Sequence, residues 1–253
     1  MKKKKLKKPF FSIITVVKND EANIQKTIKS VISQSFKNFE YIVIDGKSKD
    51  KTIKKINDYK NKISCILSQK DAGIYFAMNK GIKIANGTFL LFVNSGDLLT
   101  KNALKIIYEL FSKNKKVDFI FGTVKRHYTT NTIIKYGYNK FRLNYNFDFA
   151  TAHSTGFFIK LNSAKKVGLY NLKYKYSSDW DYFYRMIVKH KLNGIGSKKN
   201  ELFGIFRRGG FSSKISFRDH FFEEITIRLD NNQNKILVLL IFIYKYLKHF
   251  KKI

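Results

Sequence analysis

Asp45, Asp71 and Asp97 stand 26 residues apart, each just beyond an apolar, strand-like run. Ionised carboxylates accept hydrogen bonds without donating and bind hard cations, so a row of them can hold base N–H groups, ribose hydroxyls or a divalent ion. Asp97 closes the run from Phe89 through Asn94-Ser95-Gly96. An acidic residue leaving a buried strand after a glycine can reach a cation that bridges to a nucleotide diphosphate and neutralises it. The same residue suits a turn, or a cap on a helix beginning near Lys101, because Asp is also a common turn former. Neither a Gly-x-Gly-x-x-Gly cradle nor a Walker A loop occurs, so glycine-rich phosphate binding loses ground to a carboxylate-based nucleotide site. In such a site Asp45 accepts from the base or the ribose.

The elements that must position these groups read as alternating strands and helices. Apolar runs cover Phe10 to Val17, Phe39 to Ile44, Ile63 to Leu67 and Phe89 to Val93. Between them Ile24, Ile28, Val31 and Ile32 form a helical stripe that Asp20 can cap, since a short acidic side chain satisfies first-turn N–H groups. Ile74, Ala77, Met78, Gly81, Ile82 and Ala85 form another, closed by Asn86-Gly87. Weaker helices are predicted over Lys51 to Tyr59 and Asn102 to Phe111. Four βα units in series imply a parallel sheet with right-handed crossovers, and ligands of such sheets bind beyond the carboxyl ends of the strands. That rule puts all three aspartates on one sheet edge.

The chain has 253 residues, enough for one large α/β domain, and carries 50 Lys and Arg against 18 Asp and Glu, a net charge of +32. Such a balance favours anionic partners: nucleic acid, acidic lipid headgroups or a phosphorylated substrate. Much of the charge also fits a composition heavy in Lys and Asn, with solvated basic faces. The lone cysteine, Cys65, excludes a disulfide framework and a thiolate zinc site; it reads as a buried structural thiol in a reducing cytoplasm. Lys2 to Lys5, with Lys7 and Lys8, form a basic arm, since the apolar run behind them lacks a small-residue cleavage site. At the other end Ile236 to Tyr244 is wholly apolar and is followed by Lys245, Lys248, Lys251 and Lys252. About 20 apolar residues are needed to span a bilayer, so this stretch reads as a helix lying on an anionic membrane surface, or one packed on the core or a partner.

Four segments in order carry a family resemblance. Phe11-Ser-Ile-Ile-Thr15-Val-Val-Lys-Asn, Tyr41-Ile-Val-Ile-Asp45-Gly-Lys-Ser-Lys-Asp-Lys-Thr, Asp71-Ala-Gly-Ile-Tyr-Phe-Ala-Met-Asn79-Lys80-Gly-Ile and Asn94-Ser95-Gly-Asp97 resemble the successive signatures of family 2 inverting glycosyltransferases. The likeness is greatest to bacterial envelope polysaccharide enzymes of the colanic-acid type. It is dense from Phe11 to about Thr100, thinner from His153 to Ser212, and absent from the tail.

The resemblance implies an α/β fold of the GT-A type: a mostly parallel twisted sheet flanked by helices, an acceptor-binding second half and a C-terminal amphipathic helix. It divides the chain into a basic arm (1–9), a nucleotide-sugar half (10–122), an acceptor half of the same domain (123–234) and the terminal helix (235–253). Asp45 matches the aspartate that holds the base, and Asp71 lines the nucleoside pocket. Thr15, Asn79, Lys80, Asn94 and Ser95 belong to the same nucleotide-sugar motifs. Asp97 matches the last aspartate of the family's Asp-x-Asp motif, which binds Mn²⁺ or Mg²⁺; Ser95 occupies the place of the first.

In the second half, Tyr176-Ser-Ser-Asp179-Trp180-Asp181 through Arg185 resembles the region of the family's Glu-Asp pair, with Ser178 in place of the glutamate. Asp179 is then the general base. On the residues alone Asp179 equally suits an N-cap for a helix from Trp180 to Lys189, with Asp181 in its first turn. His153 opens a segment resembling the family's acceptor region, although a lone His beside an aromatic strand also suits a core role. Arg207 and Arg208 resemble a loop near the diphosphate, where a planar guanidinium matches phosphate oxygens; a solvated basic turn is the competing account. The implied partners are a nucleotide-diphosphate sugar, UDP foremost, and a glycan or lipid-linked glycan acceptor in the cell envelope, with the enzyme cytoplasmic and peripheral on an anionic membrane. No nucleic acid is expected, though a basic nucleic-acid binder on an α/β scaffold remains the alternative class. A homologue that binds donor without transferring it is the other.

Overall fold

A computed structural model describes residues 8–127, 131–145, 149–151, 154–207 and 215–252. The first half alternates as the hydrophobic runs predict: β1 (Phe11–Val17), α1 (Ile24–Ile32), β2 (Phe39–Asp45), α2 (Thr52–Asn57), β3 (Cys65–Ser68), α3 (Ile74–Ile84), β4 (Phe89–Phe92), β5 (Leu98–Leu99) and α4 (Ala103–Lys113). The second half holds β6 (Phe119–Phe121), β7 (Thr123–His127), β8 (Thr132–Lys135), β9 (Phe157–Lys160), α5 (Leu161–Val167), α6 (Ser178–Tyr184), β10 (Gly194–Gly196), β11 (Leu202–Arg207), α7 (Phe217–Asp230) and α8 (Lys235–His249).

Seven strands form the main sheet in the order β10-β6-β9-β4-β1-β2-β3. All pair in parallel except β9, which runs antiparallel between β4 and β6. The regular βα alternation therefore accounts for one flank of the sheet, and three strands from the second half, β9, β6 and β10, complete the other. A smaller sheet, β5-β11-β7-β8, stands beside it. Every residue of β1 is buried, as expected for a central parallel strand covered on both faces. On one face Ile14, Val16, Ile42 and Ile44 pack with Met78 and Ile82 of α3 and with Trp180 and Tyr182 of α6. On the other, Ile13, Tyr41 and Val43 meet Ile24 and Ile28 of α1 and Leu104 and Ile107 of α4. Register aligns Val17, Asp45 and Ser68 across three strands, so the loops after β1, β2 and β3 leave from one level.

Three local expectations change. Asp20 does not cap α1 with its side chain: its backbone carbonyl receives the N–H groups of Asn23 and Ile24, while its carboxylate takes the Asn23 amide at 2.7 Å. The carboxylate is thereby left near the strand ends. Cys65 is exposed, not buried, because β3 is the outermost strand and pairs only with β2. The helix expected to run from Trp180 to Lys189 is α6 followed by a wider π-turn over Arg185–Lys189. Within the described residues no helix is long and apolar enough to cross a membrane.

Candidate active site

The loops after β1 and β2 are laced together. Asn19 donates its N–H to Ser48 Oγ at 2.8 Å and accepts from the N–H of Lys49 at 2.8 Å. Glu21 repeats the exchange, giving its N–H to Asp50 at 3.1 Å and accepting from Lys51 at 2.8 Å. Asp45 ends β2 under this double loop. It is buried, and its carboxylate receives the N–H and hydroxyl of Ser48 (3.1 and 2.5 Å) and the hydroxyl of Ser68 (2.6 Å). A carboxylate offers about four acceptor positions, so most of Asp45 is committed to shaping the loop.

Asp71 is only partly buried. One oxygen accepts from the N–H of Gly73 at 3.2 Å, and the other faces Gly46, where an added Cβ would stand 2.8 Å away. Glycine at 46 leaves room for the Asp71 carboxylate and the Lys18 stem to lie against the loop after β2. Four residues beyond Asp71, on α3, the Tyr75 hydroxyl lies 3.2 Å from Asp179 Oδ1 and 3.1 Å from the Tyr176 carbonyl. Burial, reinforced by the charge of Asp179, pushes the Tyr75 phenol well above its ordinary value. It stays protonated and donates.

Asp179 sits in the first turn of α6, where its carboxylate also accepts the N–H of Trp180 at 2.9 Å. Burial raises its pKa from 3.8 to about 6, with the charge of Glu223 adding to the rise and the hydrogen bonds opposing it. Glu223, on α7, grips the approach to this turn: its carboxylate accepts the consecutive N–H groups of Lys175, Tyr176 and Ser177 at 2.6 to 2.7 Å. Nothing in the sequence marks Glu223, whose role exists only once α7 packs beside α6. Tyr75 did carry a signal, since it stands inside the Asp71 motif at helical spacing from it.

Asp97 is buried and closes a turn in which Gly96 takes φ +96° and donates its N–H to Thr27 Oγ1. That turn suits glycine, as left-handed backbone is costly for other residues. Asp97 accepts from Thr155 Oγ1 at 2.6 Å and from the backbone N–H of Arg207, and burial lifts its pKa to about 7. Ser95, in the position where a second carboxylate would stand, donates to Asp20 Oδ2 at 2.6 Å. Asn94 donates to Ser154 at 3.1 Å, while its own Oδ1 is buried without a hydrogen-bond partner.

Among the described residues no three His, Cys, Asp or Glu side chains converge on a metal position. The donor set nevertheless fits Mg²⁺ or Mn²⁺, hard ions held by one or two carboxylates together with substrate phosphates and water. Asp97, buried against its own ionisation, and Asp20, bonded to the Ser95 hydroxyl two residues before Asp97, are oxygen donors of that type.

Other residues singled out in the sequence serve the framework. Thr15 is buried at the centre of β1, bonded to the Tyr41 hydroxyl and the Val93 carbonyl. Asn79 pairs with both backbone groups of Tyr170 at 2.9 Å, and Lys80 reaches the Lys70 carbonyl at 3.3 Å. Trp180 is fully buried beneath the Arg228 guanidinium, 4.6 Å from its ring centre. Asp181 is buried in an ion pair with Arg185 at 2.8 Å and accepts from Asn231. Neither can touch a ligand without unpacking α6. Arg207 is exposed at the end of β11, while His153 and Arg208 lie outside the described residues.

A mostly parallel mixed sheet of this order, with carboxylates on its carboxyl edge and a smaller sheet beside them, is the GT-A fold of glycosyltransferases. The glycosyl transferase family 2 model matches residues 12–168, and the chain belongs to that family. A glycosyltransferase of PGL/p-HBAD biosynthesis from Mycobacterium bovis is 27% identical over 206 residues, covering 78% of this chain and 79% of its own length. An uncharacterised glycosyltransferase of Rickettsia typhi is 30% identical over 189 residues, covering 71% of this chain and 59% of its own. In fold, the chain matches residues 1–349 of S. aureus TarS bound to UDP-GlcNAc, with a TM-score of 0.73 at 18% identity over 94% of this chain and 73% of that one. It also matches the mannosyltransferase PcManGT of Pyrobaculum calidifontis, solved with GDP-Man and Mn²⁺, at a TM-score of 0.63 and 11% identity, covering 89% of this chain and 64% of that one.

Proposed function

We propose that this glycosyltransferase is inverting, takes its sugar from a nucleotide-diphosphate donor, foremost a UDP-sugar, and delivers it to a hydroxyl of a cell-envelope glycan carried on lipid at the cytoplasmic membrane face. The observation that carries the mechanism is the Tyr75–Asp179 hydrogen bond, which ties a carboxylate of raised pKa to the helix that follows Asp71. A base poised near neutrality is what single displacement needs. The acceptor hydroxyl gives its proton to Asp179 as its oxygen bonds to the anomeric carbon, the bond from that carbon to the diphosphate oxygen breaks on the opposite side, and configuration inverts.

Donor recognition falls to the strand-end loops. Asp71 faces the nucleoside, with Asp45 holding the loop that borders it. Asn94, whose unpaired Oδ1 lacks a partner, and Ser95 lie beside the diphosphate. Asp97, with Asp20, would hold Mn²⁺ or Mg²⁺, which supplies positive charge to the leaving diphosphate; Arg207 and Arg208 add to that charge. The divisions at 9, 122 and 234 assign the donor to the first half and the acceptor to the second.

The test is a thermal-shift panel of UDP, GDP, TDP and CMP with and without Mn²⁺, run on the wild type and on Asp97→Ala. Ligand at 100 times its Kd stabilises by about 2.7 kcal/mol. The expected result is a shift with UDP that needs Mn²⁺ and disappears in D97A. A shift with none of the nucleotides, or one equally strong in D97A, rules out the donor site as described.

A further inference from the structure

Helix α8 is apolar around most of its circumference, and its two faces meet different surroundings. Inward, Val238 and Ile241 are buried, Phe242 packs on Phe221 with ring centres 5.2 Å apart, and Lys245 reaches Glu224 at 2.6 Å. Outward, Ile236 (71% exposed), Leu239 (56%), Leu240 (59%), Ile243 (44%), Leu247 (70%) and Phe250 (63%) recur at three- and four-residue steps. That spacing makes one continuous stripe along the helix. Soluble monomers rarely leave so long an apolar strip in water, because its hydration is unfavourable.

The charges around the stripe indicate what covers it. Residues 235–253 contain five lysines and no acidic residue, and Lys235, Lys248 and Lys251 are exposed at its two ends. Beside it a hollow of about 460 Å³ opens between Tyr145 and Leu240, Tyr244 and Lys248, so apolar and ammonium groups line it together. We infer that α8 is a docking surface for an anionic lipid bilayer, lying flat with its stripe among the upper acyl chains and its lysines at the phosphates. At 15 residues it is about 22 Å long, which suits an in-plane helix and not a span. A second copy of the chain would bring lysines against lysines, and a nucleic acid would leave the stripe uncovered. The inference extends the membrane-side acceptor reading by naming the surface that holds the enzyme there, and its readout contains no sugar nucleotide.

The experiment is vesicle flotation of the full chain with phosphatidylcholine alone and with phosphatidylcholine mixed with phosphatidylglycerol. Binding is expected to the anionic vesicles only, weakening as salt rises. The double variant Lys248→Glu/Lys251→Glu is expected to lose about tenfold or more in vesicle affinity, and Leu240→Gln/Leu247→Gln to lose binding at every salt concentration. All four side chains are exposed, so unchanged melting temperatures separate these effects from misfolding. Absence of flotation, or equal binding to neutral vesicles that the lysine variant does not weaken, overturns the inference. So does a solution dimer that L240Q/L247Q dissolves, since the occupant is then another copy of the chain.

Discussion

Replacing Asp179 with asparagine should slow transfer and stabilise the fold at the same time. The wild-type carboxyl titrates at about 6 against an ordinary 3.8, so holding it charged costs roughly 3 kcal/mol at about 1.4 kcal/mol per pH unit. Asp179 keeps some solvent contact, and screening reduces the expected cost to about 1–2 kcal/mol. Asparagine retains an oxygen able to accept from Tyr75 and Trp180 without carrying the charge. Because folding raises this pKa, the folded state binds the proton more tightly than the unfolded chain. The resulting stabilisation is complete below 3.8 and is lost as pH rises through about 6. D179N should therefore melt about 3–6 °C above wild type at pH 8 and level with it near pH 4. In transfer assays the wild type should show an acidic limb with its midpoint near 6, and D179N should lose about two to four orders of magnitude. Donor binding should be unchanged. An Asp179→Asn variant that melts below wild type at pH 8, or transfers at the wild-type rate, refutes the assignment of Asp179 as a partly desolvated base.

Glu223→Gln should move the acidic limb below 6, because the Glu223 charge helps raise Asp179. It should also lower kcat about tenfold by loosening the grip on Lys175, Tyr176 and Ser177, with donor affinity unchanged in a titration; a limb that stays put rules out the electrostatic link. Arg228→Ala should cost about 3–5 kcal/mol in denaturant unfolding, since the fully buried guanidinium lies over Trp180 and bonds Glu224, the Asn144 carbonyl and Gln233, and its loss leaves a cavity and unsatisfied buried acceptors. A loss under about 1 kcal/mol would mean that Lys245 compensates for it. Gly46→Ala should weaken UDP binding measurably, because its methyl meets Asp71 Oδ2 at 2.8 Å; unaltered binding would remove Asp71 from the donor pocket.

The first half was legible because its signals are local. Strand and helix periods differ, each βα unit states its own boundaries, and the rule for parallel sheets carries the aspartates to one edge. β9 was not legible: its four residues resemble any short aromatic run, and only β4 and β6 together define where it belongs. Motif membership did not separate ligand contacts from framework. Thr15, Asn79, Trp180 and Asp181 stand in the same motif segments as Asp71 and Asp179, yet they bond to strand, backbone and arginine. Both kinds of role constrain residue type, and sequence cannot distinguish an acceptor aimed at a ligand from one aimed at a neighbouring turn. The departures at Ser95 and Ser178 read as losses in the sequence. Ser95 turns out to present the Asp20 carboxylate, and Ser178 fastens α6 to the Asn171 carbonyl at 2.8 Å.

Cys65 gives the molecule an unplanned reporter position. It is the only thiol in the chain, and it is exposed. It starts β3, whereas the loop that carries Asp71 leaves from the far end of the same strand, about 10 Å along it. A maleimide dye would attach at one place without any background cysteine to remove, and away from the strand ends where the proposed site lies. Paired with an acceptor dye in vesicles, that single attachment point turns the distance between sheet and bilayer into an optical signal.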